Sequence, residues 1–153
     1  MSILLSKIGT VISSRSEILD DLWDKENSYV ELTENFKEEA LFGLQEFSHV
    51  EIIFFMNQVA DEKIETSARH PRGRKDWPKV GIFSQRAKNR PNKIGTTICK
   101  ISKVEGKKLF LEGLDAVDGT PVLDIKPWVV EFGPRDQVKQ PKWIAELMER
   151  YWK

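Results

Sequence analysis

The apolar residues of this chain come in short, branched runs. Residues 50–56 read VEIIFFM, 95–104 read GTTICKISKV, 108–114 read KLFLEGL and 122–125 read VLDI. β-Branched and aromatic side chains in runs of this length favour strands. Turn signals punctuate them: EGKK at 105–108, DGTP at 118–121 and Gly133-Pro134. The expected strands are 4–13, 28–32, 50–56, 79–84, 95–104, 108–114 and 122–130, about seven in all. Mostly hairpin-linked strands of this kind are expected to curl into a single β-barrel-like sheet, because closure removes exposed edges. The fold class is mainly β.

Two segments break the pattern. Phe36, Ala40, Leu44 and Phe47 recur at helical spacing, so one internal amphipathic helix is expected from a Thr33 cap. Pro141 opens a C-terminal helix over 141–152, with Ile144, Leu147, Met148 and Tyr151 on one face. A chain of 153 residues is enough for one core, and one domain over 1–153 is the expectation. Residues 1–14 carry too short an apolar run for a signal peptide and read as the first strand. No apolar run approaches the ~20 residues that cross a bilayer, and no membrane association is expected. The lone cysteine, Cys99, excludes an internal disulfide and suits a packed thiol in a reducing, cytoplasmic setting.

Charge is balanced overall, with 24 Lys and Arg against 24 Asp and Glu, yet it is unevenly placed. Residues 66–103 hold eleven of the cations and only one of the acids, Asp76. Such a block is an electrostatic footprint for a polyanion, since cations near phosphates release counterions on binding. A solvated face paired with the acidic remainder accounts for the same count. Within the block, HPRGRKDWP at 70–78 reads as a long basic loop.

Several chemistries are absent. There is no GxGxxG or GxxxxGK[ST] loop and no GxSxG elbow. The two histidines, His49 and His70, have no ligand spacing, and no metal site is expected. His49 reads as a structural hydrogen-bonding residue and His70 as solvated. Asp115 and Asp118 could divide acid and base roles, but Asp118 before Gly119 is better suited to start a turn.

Two long stretches carry a resemblance. GIFSQRAKNRPNKIG at 81–95 and LEGLDAVDGTPVLDIKPW at 111–128 resemble the TsaA-like (TrmO) family, with looser similarity in IGTVISS and FSHVEIIFF, over roughly residues 7–128. The resemblance implies a barrel-like domain, often a homodimer, that binds S-adenosyl-L-methionine without a Rossmann fold. It also implies methyl transfer to N6 of threonylcarbamoyladenosine beside the tRNA anticodon. Carried onto matching positions, Arg86, Thr96, Asp118, Gly119, Thr120 and Pro121 would contact the cofactor. Arg90 and Asn92, with Pro91, would shape the pocket or meet the substrate carboxylate, while Lys88 and Arg74 would meet tRNA phosphates. Trp77 is either a base-stacking platform or a cover for the barrel rim. No residue is singled out as catalytic, because the sulfonium methyl is already activated.

The chain departs from the family pattern in three places. An early Pro-Arg-Gln cofactor contact has no counterpart in SEILDDLWDKENSYVEL, Met56-Asn57 replaces Phe-His, and Lys93 replaces the second proline of the loop. Two alternatives stay open: a non-catalytic RNA-binding barrel, and a methyltransferase acting on a small metabolite.

Overall fold

The computed structural model describes residues 1–153. Its strands are β1 (Gly9–Ser13), β2 (Asn27–Leu32), β3 (His49–Phe55), β4 (Ala68–Arg69), β5 (Val80–Gly81), β6 (Ile94–Glu105), β7 (Lys108–Glu112) and β8 (Pro121–Pro127), followed by one α-helix, α1 (Lys142–Met148). Six strands close a barrel in the order β1-β2-β7-β6-β3-β8, every neighbour antiparallel; β4 and β5 form a separate two-stranded ribbon. The mainly β, barrel-like expectation therefore holds, with eight strands rather than seven.

Alternation along the strands fills the interior. Val50, Ile52 and Phe54 point inward from β3, and they meet Val11, Val30, Leu109, Leu111, Cys99 and Val122 in the buried core. The twelve-residue β6 serves two neighbours, pairing with β3 over its first half and with β7 over its second, with a register shift between Ile101 and Lys103 where it turns from one to the other. Gly95 lies opposite Phe54, whose ring covers the position a Cβ would take at 2.5 Å, so only glycine fits. At the β6–β7 turn, Gly106 supplies the positive φ (57°) that the first central residue of a tight hairpin needs.

The internal helix expected over 33–47 does not form. Two single 3₁₀ turns, Glu38–Leu41 and Leu44–Glu46, stand in its place, separated by Gly43 at φ 91°. The left-handed glycine breaks the helical path; Leu41 and Leu44 are buried in the core and Phe36 packs against it, while Ala40 and Phe47 stay exposed. Thr33 is no cap: its backbone N–H donates to the Ile8 carbonyl.

The first strand starts at Gly9 rather than residue 4, because β2 pairing ends at the Gly9–Leu32 couple. The last strand stops at Pro127 rather than 130, because it has reached the first residues of its partner β3. Residues 79–84 give only β5 and a 3₁₀ turn, Ile82–Ser84, in which buried Ile82 anchors the loop. Buried Gln85 stabilises the ribbon by donating from Nε2 to the carbonyls of Val80 (3.0 Å) and Arg69 (3.3 Å).

The topology sorts the connections by end. The β1–β2 loop (14–26), the long β3–β6 connection (56–93) and the β7–β8 loop (113–120) all leave one end, called the rim below. The chain exits β8 at the opposite end, beside Val50. It then returns to the rim, where α1 and the residues after it are docked.

Candidate functional site at the barrel rim

The 81–95 segment reaches the rim folded against β6. Arg86 donates from Nη2 to the Thr96 carbonyl at 2.9 Å and lies 3.4 Å from its hydroxyl. Arg90 donates from Nη1 to the Gln85 carbonyl at 2.8 Å, which ties the ends of the loop together. Lys93 has φ 52°, a left-handed conformation, and its N–H closes the turn onto the Arg90 carbonyl at 3.0 Å. Its side chain pairs with Asp61. Asn92 is exposed.

The 118–121 turn sits against the end of β1. Asp118 accepts the Ser13 N–H at 3.0 Å and donates its own N–H to the Arg15 carbonyl at 2.8 Å. Asp118 thus lies inside a turn closed by the Thr120 N–H on the Val117 carbonyl at 3.2 Å, but its side-chain oxygen is used on β1 rather than to start that turn as expected. Gly119 takes φ 81° with open space around the position of a missing Cβ. Thr120 is buried and its hydroxyl donates to the Val117 carbonyl at 2.7 Å. No side-chain hydrogen bond joins Arg86 to this turn. The link runs through β6 and Asp115: Thr96 holds Arg86, and the neighbouring Thr97 hydroxyl donates to the Asp115 carboxylate.

Several rim cations are already partnered. Lys88 pairs with Asp20 at 3.2 Å, and Arg72 makes a two-pronged contact with Asp21 at 2.8 and 3.1 Å. The hydrogen bond to Asp21 raises the Arg72 pKa further above its ordinary value. Arg74 pairs with exposed Asp76 and stacks 4.0 Å over Trp77. The acidic β1–β2 loop that supplies Asp20 and Asp21 is itself held by Arg15, which donates to the carbonyls of Leu19, Asp21 and Leu22 and lies 3.5 Å over the Trp23 ring. Lys75 and Lys79 make no ion pair.

Trp77 offers no base-stacking face. It is 4% exposed, packs on Trp143 of α1 at 6.4 Å between ring centroids, and donates from Nε1 to Glu146 at 2.8 Å. His70 is not simply solvated either, since its Nδ1 donates to the Trp77 carbonyl at 2.8 Å. His49 meets the Ser48 hydroxyl at 2.7 Å, the structural role expected of it. The three non-glycine residues with positive φ, Leu22, Arg72 and Lys93, all lie in rim loops. Backbone strain of this kind persists where surrounding structure enforces it, and it concentrates at functional sites. A concavity of about 780 Å³ is bounded only by 131–138 and shares no residue with the rim.

The family model for the tRNA-methyltransferase O N-terminal domain matches residues 18–133. The chain belongs to the TrmO family. A human protein named tRNA (adenine(37)-N6)-methyltransferase is 41% identical over 107 residues, which cover 70% of this chain and 24% of that protein. A protein of Methanocaldococcus jannaschii, named as a "Probable S-adenosyl-L-methionine-binding protein", is 37% identical over 89 residues, covering 58% of this chain and 71% of that one. A crystal structure of TrmO from Pseudomonas aeruginosa superposes with a TM-score of 0.74 at 31% identity, over 94% of this chain and 62% of that one. The chain thus spans about a quarter of the human relative and under two thirds of the solved TrmO chain.

Within this TrmO-family framework, residue-by-residue reading missed three features of the rim. They are the Asp20 and Asp21 pairs, the anchoring by Arg15, and the return of Tyr151 to Asp115. All depend on contacts between residues distant in sequence, and no local pattern marks them.

Proposed function

We propose that this domain binds S-adenosyl-L-methionine at the rim and methylates N6 of threonylcarbamoyladenosine next to the tRNA anticodon. The observation that carries the reading is the TrmO family match, which includes both the Arg86 loop and the 118–121 turn. The names of the human and archaeal relatives, a tRNA methyltransferase and an S-adenosylmethionine-binding protein, point the same way.

The residues present fit such a cofactor. Arg86 and Thr96 supply a guanidinium and a hydroxyl, Asp118 has one oxygen beyond its bond to Ser13, and the open face of Gly119 lets a ligand approach the backbone. Thr120 and Pro121 hold that turn to β1 and β8. When bound, the cofactor supplies a methyl group already activated by its sulfonium. The protein's task is then to orient the acceptor amine and exclude misaligned approaches.

Arg90 has N–H groups beyond the one given to Gln85 and, with Asn92, is suited to meet the threonylcarbamoyl carboxylate. Lys75 and Lys79 are free for phosphates, and Lys88, Arg72 and Arg74 become available by exchanging Asp20, Asp21 and Asp76 for RNA. The domain acts as a homodimer in the cytoplasm. The packed thiol of Cys99 is consistent with a reducing compartment.

Calorimetry with S-adenosylmethionine, followed by mass spectrometry of tRNA nucleosides from cells lacking the protein, tests this reading. Saturable cofactor binding and loss of the N6-methyl mark are expected. No binding at millimolar cofactor, with salt-sensitive tRNA binding intact, would instead mark an RNA-binding barrel. Cofactor binding without any tRNA affinity would mark an enzyme for a small metabolite. Light scattering giving a monomer mass would remove the dimer.

A further inference from the structure

Beyond the residues matched by the family model, the chain returns to the rim and meets a carboxylate there. The backbone N–H groups of Leu22, Trp23 and Asp24 donate to the carbonyls of Arg150, Tyr151 and Trp152 at 3.1, 2.9 and 2.9 Å. Leu22 makes its bond from a left-handed conformation, φ 70°. The tail is therefore docked by its backbone. Among its side chains, Tyr151 reaches the carboxylate, its hydroxyl donating to Asp115.

Asp115 accepts from two neutral hydroxyls, Thr97 on one oxygen and Tyr151 on the other. It is partly buried and takes part in no ion pair. Burial, and then the charge of Asp115, push the Tyr151 phenol well above its ordinary pKa, so it stays protonated and donates; the nearby Arg86 opposes that shift. Asp115 is bonded to Thr97, the chain neighbour of the Thr96 that holds Arg86, so the carboxylate is tied to the same stretch of β6 as Arg86. A partly buried carboxylate with neutral donors alone lacks the counter-charge that buried anions call for.

We propose that Asp115 is the seat for the cationic end of the bound cofactor, its sulfonium or its α-ammonium, and that Tyr151 is the positioning residue that holds the carboxylate in place. This rests on the reading that the rim binds S-adenosylmethionine. Tyr151 acts only through Asp115, from a segment that the Arg86 loop and the 118–121 turn do not include. Because the tail is docked through its backbone, removing one hydroxyl leaves it seated.

The test uses the full chain as wild type, Tyr151→Phe, Asp115→Asn and the double variant. Calorimetry with S-adenosylmethionine and with S-adenosylhomocysteine, which lacks the sulfonium, is read beside the thermal midpoint. Asp115→Asn should weaken S-adenosylmethionine by about tenfold or more, and Tyr151→Phe by somewhat less, as befits one hydrogen bond to a charged group. The double variant should bind no worse than Asp115→Asn alone. A loss confined to S-adenosylmethionine identifies the sulfonium; an equal loss for both ligands identifies the ammonium.

Wild-type affinity in a folded Tyr151→Phe, or additive losses in the double variant, would overturn the proposal while leaving cofactor binding intact. Absence of binding by the wild type would remove the cofactor reading and this inference together. Should Asp115→Asn fail to fold, Tyr151→Phe decides the question alone.

Discussion

Lys93 is the residue at which this chain's loop departs from a proline, and the structure says what restoring that proline would do. At φ 52° Lys93 lies far from the −65° a pyrrolidine ring imposes, and its N–H is spent on the Arg90 carbonyl at 3.0 Å. Lys93→Pro must reverse the backbone and break that bond, a cost of about 3 kcal/mol or more. Loss of the pair with Asp61, whose side chain is 90% exposed, adds between about 0 and 1 kcal/mol. A stiffer unfolded chain returns up to about 1 kcal/mol. The net loss is about 2–4 kcal/mol, which for a domain of this size lowers the thermal midpoint by roughly 4–16 °C.

The matched control is Lys93→Gly. It relieves about 1–2 kcal/mol of left-handed strain. It gives back about 0.5–1 kcal/mol in backbone entropy and up to about 1 kcal/mol of ion pairing, so it falls between about 1 kcal/mol less and about 1.5 kcal/mol more stable than wild type. Calorimetric unfolding of the three proteins decides. A proline variant as stable as the wild type would refute the left-handed turn, and with it the placement of Arg90 derived from that turn.

Two further outcomes follow from the packing. Gly95→Ala drives a Cβ to 2.5 Å from the Phe54 ring, and overpacking of this kind costs about 1–3 kcal/mol; Phe54→Leu in the same chain should recover part of it, and additive losses would show that the ring does not cover the glycine. In Tyr29→Phe, where Tyr151 is the sole phenol, ultraviolet titration should show no ionisation near pH 10.0 until the protein unfolds. Since the folded pKa is raised, the stability this group contributes is full below pH 10.0 and is lost as pH climbs toward the folded value. A phenol that ionises near pH 10.0 in the folded chain would mean that Tyr151 does not reach Asp115.

The barrel was legible because its information is local. Val50, Ile52 and Phe54 alternate with outward residues, Gly106 and Gly119 sit where turns need positive φ, and these signals survive any tertiary context. The internal helix was misread for the complementary reason. The spacing of Phe36, Ala40, Leu44 and Phe47 is helical, but Gly43 adopts φ 91° and the core takes up Leu41, Leu44 and part of Phe36 instead. Helical spacing shows what a segment can do, and the shape of the opening decides which side chains are taken up.

The same division runs through the site. Arg86 and the 118–121 turn lie in contiguous motifs, the kind of signal a sequence can carry on its own. The basic segment's charge could equally serve a polyanion or pair internally, and the structure divides the cations: Lys75 and Lys79 make no ion pair, while Lys88 and Arg72 are held by Asp20 and Asp21 from a loop some fifty to seventy residues away. An anionic partner arriving at this rim must therefore compete with two carboxylates of the protein itself. Exposed ion pairs of this kind contribute only about 0–1 kcal/mol each, so two of them oppose such a partner only weakly.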